Sequence, residues 1–465
     1  GKQRATVPAV NPEQPAERPL DPHLMVHLSG EIHTKSSRTR RRFRRLVLDR
    51  VRNVLRRTES PAKVEELEGR IHIVGDPSED LAQRLANIFG VHRITRVAPI
   101  RFTELDELAA AVYERCADRV RDRVFAARVR RRGRHSWSSE QAQRAIGGKL
   151  YPLARGVDLR RPEVEVKLEI YGDLAYLITE TWSGPSGLPS GSQDKSLSLL
   201  SGGFDSPVAS WLMMRRGSPV DFVHFKLECS ASEHAILVAQ TLWQRWGEGT
   251  RPVLWMIDFQ GVKEALLEHV DSSLRQVVLK QLMFACADRL AERLGIHALV
   301  TGEAVGQVSS QTMSHLAAID SAANRTVLRP LAGALKEEII ARAREIGTEA
   351  ISARAVEVCD LSEGPVAVTA RWARLRAAHE GLPEGLIDEA LASLEVVALQ
   401  DWFPGVTFAP VVTTATDDRI LVDPRDGVPD EGSLVLTGSK GALVGSALAS
   451  RGRDVVVLLQ DEKPD

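Results

Sequence analysis

The sequence predicts an α+β module of helices and antiparallel strands, then an α/β domain with a doubly wound parallel sheet, and finally a small α/β tail. Up to about residue 182, amphipathic helices and strands of alternating polarity follow one another in mixed order. From Ser196 onward, short apolar strands alternate strictly with helices, which is typical of a parallel sheet. A stretch rich in glycine, proline and serine, residues 183–195, separates the two patterns and indicates a domain boundary.

Local patterns predict each element of the first module. Apolar residues recur at helical spacing between Phe43 and Leu55, with arginines on the other face of the helix. Ser78 is the expected N-cap of a helix that runs to Phe89. The other elements are the strands RIHIVGD and VHRITRVAPIRF, a helix over 105–120, the strand FAARVRR, a helix over 138–150, and the strands VEVKLEIYG and LAYLITETW.

The second domain contains four short apolar strands, SLSLL, VDFVHF, VLWMIDF and HALVTGE, and its helices are predicted over 207–216, 232–246 and 262–294. Ser206 and Pro207 are the expected N-cap and first residue of the first helix. Ligands of such sheets bind beyond the carboxyl ends of the strands. After about Leu382, the short elements VVAL, RILVDPRD, SLVLTGSKG and DVVVLL predict a separate small α/β unit.

Composition narrows the class of protein. The 465 residues suffice for about three domains, and 43% hydrophobic with 26% charged residues is typical of a soluble globular protein. We find no apolar run long enough for a spanning helix and no signal peptide, and therefore expect a cytoplasmic protein without membrane contact. The four cysteines form no CxxC pair, which excludes a disulfide framework and a zinc ribbon. Cys116 and Cys286 lie on apolar helical faces and are expected in the core.

Two basic blocks lie in the first module although the net charge is only -1. Residues 38–57 contain ten arginines and one aspartate, and residues 128–135 contain five arginines and a histidine. The alternative is a solvated helical face, but two blocks beside Phe43, Phe125 and Trp137, which are candidates for stacking on bases, favour an RNA partner.

The segment SGGFDSPVAS follows the strand SLSLL directly. Ser201, Gly202 and Gly203 predict a tight turn whose N–H groups face an anion at the N-terminus of a helix. The segment is neither a Walker A loop nor a GxGxxG loop. It resembles the pyrophosphatase (PP) loop of adenylating enzymes that consume ATP, in which Asp205 is the candidate ligand of Mg²⁺.

With further motifs in the same order, the chain resembles the bacterial tRNA uracil 4-sulfurtransferases, also called 4-thiouridine synthetases. These motifs are VLKQLM around Lys280, LVTGEAVGQVSSQT, LRPL with Lys336 close behind, and EVCD at Cys359. HLSGEIHTKSSRTRRRF is similar to the family's ferredoxin-like segment. FAARVRRRGRHSWSS and AIGGKLY are similar to its THUMP domain, which binds the tRNA acceptor end.

The resemblance implies a flexible tail over 1–22, a ferredoxin-like domain over 23–75, a THUMP domain over 76–182, a PP-loop adenylating domain over 183–381 and a rhodanese-like domain over 382–465. It implies that Cys359, Asp205 and Lys336 are catalytic. The ATP-binding residues it implies are Leu199, Leu200, Ser201, Gly202, Gly203, Ser206, His224, Phe225, Lys280, Gly302 and Gln311. Gly438 stands where long family members have a persulfide cysteine, so the tail is either a degenerate rhodanese or an unrelated fold.

The implied activity is ATP-dependent thiolation of a tRNA uridine to 4-thiouridine. ATP and Mg²⁺ are the implied cofactors, and tRNA with a cysteine desulfurase or another persulfide donor are the implied partners; a homodimer stays open. Some relatives also serve thiamine biosynthesis. Two alternatives remain: a different adenylating enzyme on the same scaffold, and a tRNA-binding protein of the same fold that has lost catalysis. The basic blocks argue against a small substrate, and the intact SGGFDS, Lys280 and Cys359 argue against lost catalysis.

Overall fold

The computed structural model describes residues 20–67, 70–75, 77–227, 232–247, 249–355, 361 and 371–399. The chain divides into two compact units. Within the described ranges, the first unit comprises residues 20–33, 51–87 and 91–186, and the second comprises residues 34–50, 88–90 and those from 187 onward. No helix in the described part of the chain is long and apolar enough to cross a membrane.

The first unit is built on an eight-stranded sheet with the strand order β2-β3-β1-β4-β8-β7-β5-β6. The strands are β1 (His23–Leu28), β2 (Lys63–Leu67), β3 (Arg70–Val74), β4 (Val91–Arg101), β5 (Val124–Arg132), β6 (Gly156–Val157), β7 (Val164–Tyr171) and β8 (Leu174–Ser183). Neighbouring strands are antiparallel except that β5 runs parallel to both β6 and β7. The predicted α+β class is confirmed for this unit, although β2 and β6 were not predicted from the pattern.

The helices up to residue 150 are α1 (Gly30–His33), α2 (Ser37–Arg57), α3 (Glu79–Ala86), α4 (Leu105–Val120) and α5 (Ser139–Leu150), and a 3₁₀ turn follows at Tyr151–Leu153. Ser78 caps α3 as predicted, because its Oγ accepts the Leu81 N–H at 3.2 Å. The helix ends at Ala86 and not at Phe89. Ser138 and Gln141 form a reciprocal capping box at the start of α5.

Burial corrects one prediction about the aromatic residues near the basic blocks. Phe43 and Phe125 are 4% and 1% exposed, so they pack in the core and are not available to stack on bases. Trp137 is half-buried, and its ring lies 4.4 Å from that of His135. Cys116 and Cys286 are fully buried, which confirms the prediction that both are core residues.

The second unit contains a six-stranded sheet with the order β13-β12-β9-β10-β11-β14. Its strands are β9 (Ser196–Leu199), β10 (Val220–Lys226), β11 (Val253–Asp258), β12 (Ala298–Val300), β13 (Thr326–Leu328) and β14 (Glu395–Ala398). The first five are parallel, and β14 pairs antiparallel with β11 at the edge. The chain builds outward from β9 in both directions, which confirms a doubly wound sheet with a switch point beside β9.

The helices of this unit are α6 (Asp205–Arg215), α7 (Ser232–Trp246), α8 (Gln260–His269), α9 (Ser272–Arg293), α10 (Met313–Asp320), α11 (Lys336–Ile346), α12 (Glu349–Ser352), α13 (Trp372–Glu380) and α14 (Leu386–Ala392). Both faces of the sheet are buried, because successive residues of a strand, such as Phe222 and Val223, belong to two different apolar clusters.

Two predictions for this unit were wrong. The single helix over 262–294 is two helices, α8 and α9, because Asp271 interrupts the first and caps the second by accepting the Ser273 N–H at 3.1 Å. The strand VVAL does not start a separate C-terminal unit, since β14 hydrogen-bonds to β11 of the six-stranded sheet. Residues 400–465, which include Gly438 and the rest of the tail, lie outside the described residues.

Candidate active site

The loop between β9 and α6 folds around the hydroxyl group of Ser206. This Oγ accepts the Ser201 N–H at 2.9 Å and lies 3.2 Å from the Ser201 carbonyl oxygen. The Ser201 Oγ accepts the Gly203 N–H at 3.3 Å. The loop also packs closely on α7, because a Cβ at Gly202 would lie 2.9 Å from the Cβ of His234. Serine and glycine at these positions therefore give one compact turn at the end of β9.

The predicted cap of the following helix was wrong. Helix α6 begins at Asp205, so Ser206 and Pro207 lie inside its first turn, and Phe204 in the N-cap position makes no side-chain cap. Ser206 is not the cap because its hydroxyl hydrogen-bonds the loop. The first N–H groups of a helix have no intrahelical acceptor, so this uncapped end carries partial positive charge. Such an end can bind an anion.

Gly302 lets the end of β12 approach the start of α6. A Cβ at this position would lie 2.5 Å from the Ser206 nitrogen and 2.6 Å from the Asp205 carbonyl carbon. Both are backbone atoms, which cannot yield as a flexible side chain can. The glycine therefore brings the segment after β12 against the loop.

Asp205 binds two side chains that are remote in sequence. Its Oδ1 accepts from the Lys336 Nζ at 2.7 Å, and its Oδ2 accepts from the Gln307 Nε2 at 2.8 Å. Lys336 is the first residue of α11, and its Nζ also lies 5.6 Å from the centre of the Phe204 ring. The structure thus brings together two of the three predicted catalytic residues, at the carboxyl edge of the sheet.

Lys280 belongs to a second, adjoining group of charged residues. Its Nζ donates to Glu303 Oε1 at 2.9 Å, and the Arg329 Nε donates to the other oxygen of Glu303 at 3.0 Å. Arg329 also holds Asp320 through two hydrogen bonds of 2.7 and 3.0 Å. Glu303 is only 5% exposed. Two cations and two carboxylates therefore balance one another beside Gly302.

The end of β10 supplies a buried histidine. His224 Nδ1 lies 2.9 Å from the Leu200 carbonyl oxygen, so the ring links β10 to the loop. Burial lowers the pKa of His224, against the opposing effect of the Leu200 carbonyl, so the ring is neutral near pH 7. Its buried Nε2 has no hydrogen-bond partner among the described residues. A neutral ring with Nδ1 donating leaves Nε2 as an acceptor.

The other predicted binding residues fall into two groups. Leu200 and Phe225 are buried, and the Phe225 ring lies 4.5 Å from that of Phe259, so their side chains belong to the core. Leu199 is half-buried against the same core. Gln311 is the last residue of a 3₁₀ turn, and its backbone carbonyl accepts the Gly306 N–H at 2.9 Å. The side-chain Oε1 of Gln311 is buried and has no hydrogen-bond partner among the described residues.

The described residues offer few side-chain ligands for the predicted Mg²⁺. Among the described residues, no group of three or more His, Cys, Asp or Glu side chains could hold a metal ion. Asp205 is a carboxylate directly after the loop, and Mg²⁺ is commonly bound by one or two carboxylates together with substrate phosphates. The site therefore fits a magnesium ion that arrives with a phosphate ligand.

Cys359 and Cys229 lie outside the described residues.

Sequence reasoning missed four polar residues of this site: Gln307, Glu303, Arg329 and Asp320. Gln307 and Glu303 lie in the motif LVTGEAVGQVSSQT, and Arg329 lies in LRPL. These three follow the end of a strand, β12 or β13, whereas Asp320 is the last residue of α10. Polar residues at the carboxyl ends of neighbouring parallel strands meet at one edge. That rule applied to the two motifs could have found Gln307, Glu303 and Arg329, but it does not identify Asp320.

Three family models match the chain: Thiamine biosynthesis protein (ThiI) over residues 191–382, the ThiI ferredoxin-like domain over 23–95, and the THUMP domain over 101–180. The tRNA sulfurtransferase of Desulfurococcus amylolyticus is 37% identical over 412 residues, which are 87% of this chain and 85% of that protein. That of Shewanella amazonensis is 36% identical over 425 residues, 88% of this chain and 86% of that protein. Because the first organism is an archaeon, the relatives are not restricted to bacteria.

Solved structures agree with these relatives. A 4-thiouridine synthetase in complex with RNA and with bound ATP has a TM-score of 0.69 and 25% identity, covering 81% of this chain and 99% of that chain. PH1313 from Pyrococcus horikoshii shares the fold, with a TM-score of 0.53 and 21% identity over 70% of this chain and 99% of that chain. Fold and site define a PP-loop protein that carries a ferredoxin-like and a THUMP segment. The chain belongs to the ThiI family of tRNA sulfurtransferases.

Proposed function

We propose that this enzyme thiolates a tRNA uridine to 4-thiouridine at the expense of ATP. The observation that carries the proposal is the likeness to the synthetase solved with RNA and ATP, which covers 99% of that chain. The loop geometry supports it, because the uncapped helix start at Asp205 adjoins Lys336 and Gln307, whose side chains can donate to phosphate oxygens. Relatives of more than 30% identity carry the name tRNA sulfurtransferase.

The proposed reaction has two steps. In the first, the C4 oxygen of the uridine attacks the α-phosphorus of ATP, and pyrophosphate leaves. In the second, a sulfur nucleophile attacks C4, the C4–O bond breaks, and AMP leaves with the former C4 oxygen. The first step converts a poor leaving group into a good one.

The described residues have distinct roles in this proposal. The turn at residues 201–203 and the start of α6 bind pyrophosphate oxygens through N–H groups. Lys336 and Lys280 neutralise phosphate charge as it develops. His224 orients the loop through the Leu200 carbonyl. The remaining proposed contacts of ATP are those of Leu199, Phe225, Gly302 and Gln311 at the same edge of the sheet.

Asp205 would hold Mg²⁺ together with the phosphates. The bound ion would supply charge neutralisation. Asp205 binds Lys336 and Gln307 in the structure, so binding of the ion would require that at least one of these contacts lengthen. Lys336 is 41% exposed in its side chain and has room to move.

The sulfur step is assigned to Cys359, which would carry sulfur or resolve a donor persulfide as a disulfide. We propose a cysteine desulfurase or another persulfide protein as donor, tRNA as substrate, and the cytoplasm as the compartment, since a tRNA-modifying enzyme works where tRNA is. A homodimer and the domain limits 23–75 and 76–182 belong to the same proposal. So does a PP-loop domain that begins at residue 183 and includes β14, followed by a degenerate rhodanese-like tail.

Incubation with unmodified tRNA, ATP, Mg²⁺ and sulfide or a persulfide donor tests the proposal, with nucleoside analysis of the recovered tRNA as the readout. We expect 4-thiouridine only when ATP and the sulfur source are both present. RNA binding without ATP consumption would instead identify a tRNA-binding protein that has lost catalysis. ATP consumption without 4-thiouridine would identify a different adenylating enzyme.

A further inference from the structure

Glu303 is a buried carboxylate that holds one cation on each of its two oxygens. Lys280 Nζ lies 2.9 Å from Oε1, and Arg329 Nε lies 3.0 Å from Oε2. We propose that Glu303 is a positioning residue for the ATP-dependent step. In the resting site it holds the Lys280 ammonium group next to the loop, and Arg329 keeps the carboxylate paired when Lys280 turns to a phosphate. The inference rests on the proposed function, because it takes Lys280 as a ligand of the triphosphate.

The backbone of Glu303 is fixed relative to the loop. It follows Gly302, whose missing Cβ allows β12 to touch the first turn of α6. Lys280 comes from the middle of α9, and its side chain is only 18% exposed. A lysine ammonium group sits on a flexible four-carbon stem, so without an anchor it would sample many positions. The ion pair to Glu303 restricts the ammonium group to the edge of the sheet that carries the loop.

Arg329 is bound more firmly than Lys280. It donates to Glu303 through Nε and to both oxygens of Asp320, so its guanidinium group is held from two sides. Lys280 has Glu303 as its carboxylate partner. Removing one member of a buried ion pair leaves an uncompensated charge, which is strongly unfavourable. Because Arg329 stays in place, Glu303 can release Lys280 without being left unpaired.

A double-mutant cycle between Lys280→Met and Glu303→Gln tests the assignment. The readouts are tRNA-dependent pyrophosphate release at saturating ATP and ATP affinity by titration. Glutamine cannot balance both cations, so we expect Glu303→Gln to slow release by about 10- to 100-fold. ATP affinity should not weaken, because the site gains a positive charge. In the Lys280→Met background the same change should cost no more than about twofold, since its partner is gone.

Asp320→Asn is the matched control. It removes the other carboxylate of Arg329 without touching Lys280, so its coupling with Lys280→Met should be smaller than that of Glu303→Gln. If Glu303→Gln does not fold, Glu303→Asp replaces it in the same cycle, because its carboxylate is too short to reach both cations. Equal costs of the Glu303 change in both backgrounds, or a loss of ATP affinity with an unchanged maximal rate, would overturn the assignment.

The cycle separates this inference from the proposed function. A wild-type protein that binds ATP but releases no pyrophosphate with tRNA contradicts the proposed function. The ATP affinities of the four proteins then decide the role of Glu303. A change in affinity that Glu303→Gln causes only when Lys280 is present supports it, and equal effects in both backgrounds overturn it.

Discussion

Asp205 connects the loop to two remote segments, and its proposed role belongs to the ATP-dependent step and not to tRNA binding. Asp205→Asn keeps the shape of the side chain but loses the charge that pairs with Lys336 and that would hold a magnesium ion. We expect 4-thiouridine formation to fall by about 10²- to 10³-fold, the scale of losing one electrostatic contact to the transition state. The measurement is single-turnover formation of 4-thiouridine.

Binding of tRNA should survive this change, which a filter-binding titration checks. Asp194→Asn is the control, because Asp194 is an exposed carboxylate in the same unit. If Asp205→Asn thiolates tRNA near the wild-type rate, the loop is not the reaction centre.

Gly302 offers a steric test of the same site. The Cβ added by Gly302→Ala would meet backbone atoms of Asp205 and Ser206 at 2.6 and 2.5 Å, so β12 and α6 must separate. We expect a loss of about 1–3 kcal/mol in the free energy of unfolding, together with weaker ATP binding. Urea denaturation and an ATP titration measure the two effects.

Gly333→Ala is the matched control, because a Cβ there would have no atom within 4 Å. The control should bind ATP as the wild type does. Equal behaviour of the two variants would show that the close approach at Gly302 does not matter for the site.

At the scale of elements, the exposed arginines of α2 allow a test of the predicted RNA partner. Its core side is formed by buried residues such as Phe43 and Val47, while Arg38, Arg41 and Arg45 are exposed. Spacings of three and four residues place these arginines on one side of the helix. If each contacts a phosphate, replacing all three by glutamine should lower the slope of log affinity against log salt by about 2 to 3.

The measurement is tRNA affinity at several salt concentrations. A control with the same loss of charge replaces three exposed arginines around the start of α13 by glutamine. These arginines are Arg371, Arg374 and Arg376. A slope that falls equally in both triple variants would mean that α2 contributes only net charge.

The elements also show what local pattern can and cannot predict. Helix α4 has the predicted bounds, because its periodicity and flanking residues are local signals. Helix α6 begins two residues earlier than predicted, because the Ser206 hydroxyl bonds to Ser201 and not to its own helix end. Strand β14 was recognised as a strand, but its partner β11 is about 140 residues away and no local signal specifies it.

At the scale of the whole molecule, two histidines with lowered pKa values predict an acid-sensitive fold. Burial lowers the pKa of His27 to about 2, and the positive charges of Arg93 and Arg70 act in the same direction. The Nε2 of His27 lies 2.8 Å from the Thr95 Oγ1. Since the unfolded chain takes up this proton near pH 6.5, the stabilisation is complete above that pH and declines as pH falls toward 2. Burial also lowers the pKa of His23, which acts in the same direction.

Urea denaturation at several pH values measures this effect. Below pH 6.5, His27 should contribute a loss of up to about 1.4 kcal/mol per pH unit. His27→Gln should reduce the slope, whereas Thr95→Val should lower stability at every pH and keep the slope. An unchanged slope in His27→Gln would show that His27 does not control acid unfolding.

The site could be predicted only in part, because its motifs lie in the sequence while its pairings depend on the fold. Asp205 and Lys336 were each identified by their motifs, yet nothing local indicates that they meet across 131 residues of sequence. Glu303 was missed because its role depends on two partners from α9 and from the segment after β13. The order of strands in the sheet brings these groups to one edge.

Oxygen tracing tests the central claim, that the C4 oxygen of uridine is adenylated and then displaced by sulfur. A tRNA carrying ¹⁸O at C4 of its uridines is incubated with the enzyme, unlabelled Mg-ATP and a persulfide donor. Mass spectrometry then measures the ¹⁸O content of AMP, and nucleoside analysis measures the 4-thiouridine formed. The account predicts one ¹⁸O in AMP for each 4-thiouridine formed, because the C4–O bond breaks on the side of the base. Recovery of the label in water, in pyrophosphate or in unchanged tRNA, with unlabelled AMP, would contradict it.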